Sequence, residues 1–515
     1  MISCLALMTL VALLLAVWAT RGMNPLRGDT FEYVYFDPSR TMGYPAFLWL
    51  MRLLTGQIAS AVPMQMTLLA ISLLLLGWSF HNLVRVPAIS FAFQAALLGQ
   101  PEIWKSSAFL MTEGLSAALI AAWCAQLLRS IKRPTLRAPV GLIAISAVAT
   151  MVRPSLVALF FGTAIFAFVN LPRRNRERSL LLIAFGAVLA WGCTPVAQLV
   201  VHGSPNTTSP FSRGVLQHTL FCDPHIVPIH GDAALVEREA APVRDYIGTA
   251  PPGVQEQLRR AYSTALRFGL IIPVLGERHH RDARSEVDPY LWTIASDRVK
   301  ANPGCYAESV MGAYFRMALF DVNRSSEADR RAREFIAAHP PIQLPQYPVL
   351  ARDNLQIRTI AAEARNQPSG LNPPRQELRF DDKAPRLWLA PVQLLYGAAA
   401  LIGLVSLAFA LRERKRLGQD APVLAVMAAM GAAFHALLAI TSIVELGLSR
   451  YVIPLWPVVC TLDAIAILMV IGSCRKADAA AAFPFRSELP GPIAVAGQMA
   501  DDAGRMRFPT AAEMR

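Results

Sequence analysis

The chain has 515 residues, 54% of them hydrophobic and 17% charged, with a mean hydropathy of +0.38. A soluble protein of this length carries more charge, so an ordinary two- or three-domain soluble architecture is excluded. The formal charge of +13 lies mostly between apolar runs, which points to membrane topology rather than to nucleic acid.

Apolar runs of about 17 to 25 residues, the length a helix needs to cross a bilayer core, recur along the chain. Hydropathy predicts ten spans, at 2–20, 62–80, 87–100, 107–128, 138–152, 154–170, 180–201, 387–411, 421–441 and 451–472. The expected fold is therefore an all-α polytopic membrane protein. The third, fifth and sixth runs are short and are expected to tilt or cross only in part. Ile2 to Thr20 reads as a retained span rather than a signal peptide. No basic residue precedes it and no small-x-small cleavage site follows.

The loops set the expected orientation. Basic clusters at Arg85, at Arg129 to Arg137, at Arg173 to Arg178, at Arg412 to Arg416 and at Arg475–Lys476 alternate with loops whose few cations are matched by acids. All the clusters fall on one side if the N-terminus is cytoplasmic. This predicts four regions. Residues 1–201 form an N-terminal transmembrane module with its first outer loop at 21–61. Residues 202–386 form a periplasmic or luminal domain, 387–472 the C-terminal transmembrane helices, and 473–515 an Ala-, Gly- and Pro-rich tail expected to be a disordered cytoplasmic segment.

Within the outer domain, helices are expected near 253–268 and 289–301, and another begins in ANPGCYAESVMGAYFRMALF. The spacing of Tyr306, Val310, Tyr314 and Leu319 fits either an amphipathic helix on the membrane surface or a core helix of that domain. Cys222 and Cys305 are the domain's two cysteines. In an oxidising compartment they are disulfide candidates, with two free thiols as the alternative. His279 and His280 read as a solvated charge run, and no CxxC or HExxH pattern marks a metal site.

The chemistry concentrates at the first outer loop, RGDTFEYVYFDPSRTMGYPAFL. Asp29 is placed at the outer surface, where a carboxylate stays ionised beside an apolar cavity and neighbouring arginines tune it as a general base. Its alternative role is to cap the helix that GDTFEY begins. Glu113, in MTEGLSAALI, returns a second acid to the same face, where the helix dipole alone would also favour it. Arg40, Arg153 and Arg450 together would make a clamp for a phosphodiester or pyrophosphate, if the helices bring them together. Taken singly, they are headgroup arginines.

Asp29 and Tyr33, the GYPAFL of Gly43 to Leu48, the acid-led MTEGLSAALI, the RPSL turn at Arg153 and RYVIPLWP from Arg450 occur in this order and on one expected side. This pattern resembles the GT-C superfamily, the polyprenyl-phosphate-sugar-dependent membrane glycosyltransferases that include the protein O-mannosyltransferases and lipid A aminoarabinose transferases. The resemblance spans residues 1 to about 200 and 387–472, and touches the outer domain only through SDRVKANPGCYAE. It implies a bundle of about ten transmembrane helices with a periplasmic domain. The implied activity is inverting transfer of a hexose or pentose from a polyprenyl-phosphate donor to a glycan, lipid or protein acceptor. Asp29 would be the catalytic acid of the first loop and Glu113 the second acid. Tyr33, Arg40, Tyr44, Arg153, Arg450 and Tyr451 would bind substrate. No cofactor is required by it, although a magnesium or manganese ion between Asp29 and Glu113 is compatible. A bacterial inner membrane is the expected location, with both termini cytoplasmic, and no nucleic acid is expected as a partner. The sequence departs from the family in the first loop, where Thr30 replaces the second acid of the doubled DE, and it lacks both the O-mannosyltransferase repeat domain and a WWDYG-type signature.

Two other classes compete. A lipid-linked-saccharide flippase, or another non-enzymatic assembly partner, would line a hydrophilic path with polar residues, whereas the spans hold few (Gln94, Gln126, Asp463). An O-antigen ligase or polymerase would concentrate arginines and a histidine in the large outer loop, whereas here the acids of the first loops stand out.

Overall fold

The computed structural model describes residues 1–21, 30–34, 36, 40–131, 137–202, 211–222, 231–249, 255, 258–259, 262, 271–280, 284–320, 385–413, 421–444 and 451–481. The chain divides into two units, 1–466 and 467–515. The first carries the features discussed below; of the second, only 467–481 is described. The tail expected to be disordered from residue 473 is instead helical over 473–481, where the last helix continues, and the rest of it lies outside the described residues.

Every regular element among the described residues is helical. The N-terminal part runs α1 (Ile2–Thr20), α2 (Thr30–Val34), α3 (Gly43–Thr55), α4 (Ala61–Val84), α5 (Pro87–Leu98), α6 (Pro101–Ser107), α7 (Thr112–Ser130), α8 (Arg137–Val152), α9 (Ala158–Asn170) and α10 (Arg173–His202). An inserted domain follows, with α11 (Phe211–Thr219), α12 (Asp232–Gly248), α13 (Ile272–Arg278), α14 (Arg284–Ala301) and α15 (Pro303–Ala318). The chain closes with α16 (Pro385–Arg412), α17 (Ala421–Val444) and α18 (Trp456–Ala481).

Six of these helices, α1, α4, α10, α16, α17 and α18, are long and apolar enough to cross a membrane. The chain is an all-α protein built for a bilayer. The three runs expected to be short are short: α5, α8 and α9 have 12, 16 and 13 residues. At about 1.5 Å per residue they reach roughly 18 to 24 Å, less than the ~30 Å of a hydrocarbon core. The run expected as a span at 107–128 becomes helix α7 only from Thr112, because α6 and a turn occupy the residues before it, and α7 is not one of the six.

Helix α7 is the inner post of the bundle. Nearly all its residues are buried, and it packs against α4, α8, the turn before α18 and α17. Its Ala-, Gly- and Ser-rich sequence is low in hydropathy for a span because protein, not lipid, surrounds it. Small side chains let neighbouring backbones approach closely in such bundles. One close backbone approach is at Gly403 of α16 and Gly431 of α17. A Cβ on Gly431 would lie 2.4 Å from the Gly403 carbonyl oxygen. By contrast α1, apolar all round, is mostly exposed and suits a lipid-facing edge.

The inserted domain has its own core, centred on Leu216, Val236, Ile247, Leu275, Leu291 and Ile294. Cys222 and Cys305 are bonded to each other, tying the end of α11 to the start of α15. Buried ion pairs tie α14 to α11 and to α12. Arg213 grips Asp288 with both Nε (2.6 Å) and Nη2 (3.0 Å). Arg298, only 1% exposed, donates to Glu237 and to the Thr219 carbonyl, and Arg244 joins the same carboxylate. Burial lowers the Arg298 pKa to about 10, still well above neutrality, so the pair stays charged.

The 303–319 helix packs against both the inserted domain and α17. In α15, Tyr306 donates to the Ile443 carbonyl and Tyr314 bonds His435 Nδ1. Each step is eight residues, in opposite chain directions, so α15 runs antiparallel along α17 for about 12 Å. His435 Nε2 faces the Ala400 carbonyl at 2.8 Å, an acceptor only, so Nε2 carries a proton. Met311, Phe315 and Leu319 form an exposed stripe on the other side of α15.

Candidate functional site

The first loop is pinned at both ends to the two turns that carry Glu113 and Arg153. Thr30 Oγ1 donates to the Leu110 carbonyl, three residues before Glu113 (3.2 Å). Thr41 Oγ1 donates to the Val152 carbonyl, the residue before Arg153 (3.2 Å). Gly43, which begins α3, lies against the backbone of Met151 and Val152. A Cβ there would approach within 2.7 Å, so only glycine fits this crossing. Tyr33, Tyr44, Leu110, Leu115 and Val152 consequently share one apolar cluster. Asp29 and Arg450 lie outside the described residues.

Between the pins, α2 turns Glu32 and Tyr33 inward. Glu32 is buried and binds Arg40 Nε at 2.6 Å and also Nη2. Arg40 Nη1 donates to Tyr33 Oη at 3.3 Å, and its guanidinium lies 4.8 Å from the centre of that ring. Arg40, expected in the phosphate clamp, is thus already compensated by a carboxylate. Glu32 did not stand out in the sequence. Its signal would have been an acid and an arginine eight residues apart in one short loop.

Tyr33 meets Tyr44 edge-on at 5.0 Å. Tyr44 donates to Gln65 Oε1 (3.2 Å), and Gln65 Nε2 donates to the carbonyls of Ser107 and Phe109. Burial raises the Tyr44 pKa well above its ordinary value, helped by Tyr33 and Glu113, so Tyr44 remains a neutral donor. Gln65 is a second residue that sequence reasoning missed; it lies in the apolar α4 and fixes both Tyr44 and the turn leading to Glu113.

Glu113 and Arg153 differ from everything around them. Glu113 is 5% exposed, and its Oε2 has no hydrogen-bond partner among the described residues. Arg153, 8% exposed, stacks on the Tyr451 ring at 4.4 Å, and among the described residues its guanidinium makes no hydrogen bond or ion pair. Tyr451 precedes the 3-10 turn Ile453–Leu455, which packs on α7. A buried carboxylate and a buried guanidinium, each without its counter-charge, are costly to a folded protein. Such a pair can hold an anion at the arginine and accept a hydrogen bond at the acid.

Among the described residues no three His, Cys, Asp or Glu side chains converge on a metal position. No family model matches the chain, and neither the curated proteins nor the solved structures include one that matches it.

Proposed function

We propose that the protein is a GT-C type glycosyltransferase that moves a sugar from a polyprenyl-phosphate donor to an acceptor, with inversion at the anomeric carbon. The observation that carries this reading is the buried, uncompensated Arg153 over Tyr451, with the buried acid Glu113 held in the neighbourhood by a first loop pinned to both turns. The ten-span count, with α5, α7, α8 and α9 completing the bundle, and the outward orientation of this site belong to the same proposal. So does the assignment of the inserted domain to the periplasmic side, where its disulfide is chemically at home.

The donor's lipid stays in the bilayer and its phosphate lies at the headgroup plane. Arg153 presents a planar fork suited to that phosphate, and Tyr451 holds the fork flat from one side. The bond from the anomeric carbon to the phosphate oxygen breaks through an oxocarbenium-like state, and negative charge grows on the leaving phosphate. A guanidinium kept out of water stabilises that charge more than one already paired. The acceptor oxygen attacks the opposite face, its proton passes to the Asp29 carboxylate, and polyprenyl phosphate departs. Arg40 does not touch the phosphate in this scheme; it fixes Glu32 and so the shape of the loop that carries Asp29. A magnesium or manganese ion at Asp29 and Glu113 would be the alternative use of the orphaned Oε2, offsetting charge on the reacting groups in place of a hydrogen bond from the substrate.

The test is sugar transfer in proteoliposomes from a panel of polyprenyl-phosphate monosaccharides. Asp29→Asn and Arg153→Ala are each expected to abolish it. Full activity of Asp29→Asn removes that residue from the mechanism. Absence of transfer by the parent protein from every donor overturns the enzymatic reading.

A further inference from the structure

Resting on the glycosyl-transfer reading above, we infer that Glu113 and Ser116 form a hydrogen-bonding subsite for one hydroxyl of the transferred sugar. They stand at i and i+3 on α7, so their side chains leave one face of the helix about 5 to 6 Å apart. Ser116 is 0% exposed, and its Oγ, like Glu113 Oε2, has no hydrogen-bond partner among the described residues.

The bundle's own habits show how unusual this serine is. A buried hydroxyl on an apolar helix ordinarily bonds the carbonyl one turn back. Thr9, Ser79, Ser90, Thr150, Thr163 and Thr461 all do so here, at 2.6 to 2.9 Å. Ser116 has the same option at the Thr112 carbonyl and does not take it. Among the described residues three other buried hydroxyls lack partners, at Ser179, Thr194 and Thr441, and of the four only Ser116 stands one turn from an orphaned carboxylate oxygen.

The two groups are complementary. The carboxylate only accepts, whereas the serine both donates and accepts. One sugar hydroxyl satisfies both by donating to Glu113 Oε2 and accepting from Ser116 Oγ. A subsite of this kind discriminates strongly against a sugar that lacks the hydroxyl, because both protein groups are then left unpaired. Arg153 recognises the phosphate common to every donor, whereas the Glu113–Ser116 face recognises the sugar.

Equilibrium binding to the full-length protein in detergent tests this. The probes are bare polyprenyl phosphate, its glucosyl, mannosyl and galactosyl derivatives, and the monodeoxy analogues of each. Ser116→Ala keeps a good helix former in a tight site. It is expected to weaken the preferred glycosylated lipid about three- to tenfold, the range of one hydrogen bond, and to leave bare polyprenyl phosphate unchanged. One monodeoxy analogue should bind the parent protein weakly and lose nothing further in Ser116→Ala. Equal binding of every glycosylated lipid by the parent and Ser116→Ala, with bare lipid still bound, overturns the inference alone. Bare lipid bound by neither protein, or bound equally by Arg153→Ala, overturns the site reading and the inference with it.

Discussion

The inserted domain and the first-loop site use the same charged residues in opposite ways. In the domain, Arg213 and Arg298 are buried and each has a carboxylate at hydrogen-bond distance. At the site, Arg153 and Glu113 are equally buried, yet Arg153 rests only on a ring and Glu113 leaves an oxygen unmatched among the described residues. Arg40 falls between, inside the site's loop but paired with Glu32. Charges that serve folding are closed within the chain. The open charges at Glu113 and Arg153 fit the ligand-binding role proposed for them.

The comparison can be broken first at Arg213. Arg213→Ala leaves Asp288 charged and buried, so a loss of about 3 to 5 kcal/mol is expected, read as a steep fall in the thermal midpoint of the purified protein. A midpoint within a degree or two of the parent would show that burial of a charge carries no information here. Next in size is the disulfide. Replacing Cys222 and Cys305 together by serine frees a loop of 83 residues and should cost about 2 to 4 kcal/mol, measured in the same way. An unchanged midpoint, insensitive to reductant in the parent, would remove the bond from the domain's stability.

The intermediate case sharpens the contrast. Arg40→Met should cost about 1 to 3 kcal/mol by removing the guanidinium bound to the buried Glu32, and Glu32→Gln combined with it should recover part of that. Purely additive losses would mean that the pair does not act as a unit. The smallest expected effect on stability is at the open charges. Glu113→Gln and Arg153→Met should leave the ligand-free midpoint unchanged or raise it slightly, because each removes an uncompensated charge. A loss as large as that of Arg213→Ala would mean that these residues are structural.

Much of this organisation was legible in the sequence. Hydropathy located the six helices long and apolar enough to cross a membrane, and the short runs at 87–100, 138–152 and 154–170 correspond to helices too short to cross alone. The first loop announced itself by its density of acids, tyrosines and arginines. What could not be read was pairing. Whether Arg40 or Arg153 is free depends on Glu32 and Tyr451, which sequence distance does not connect to them in any obvious way. Gln65 is one polar residue on an apolar helix and Ser116 one small residue among alanines, and neither a hydrogen bond nor its absence leaves a trace in composition. The course of α15 along α17 depends on Tyr314 meeting His435, a contact between residues 121 apart. Cys222 and Cys305 were candidates by compartment; only the packing of α11 against α15 brings them together.

Arg153 can be interrogated directly by titrating polyprenyl phosphate into the full-length protein while following its thermal midpoint. A ligand that binds only the folded state raises the midpoint in proportion to the logarithm of its concentration above Kd. The expected result is such a rise in the parent, absent in Arg153→Met and retained in Arg40→Met. An equal rise in the parent and Arg153→Met would show that this lipid phosphate does not need the open guanidinium, and would contradict the account at its centre.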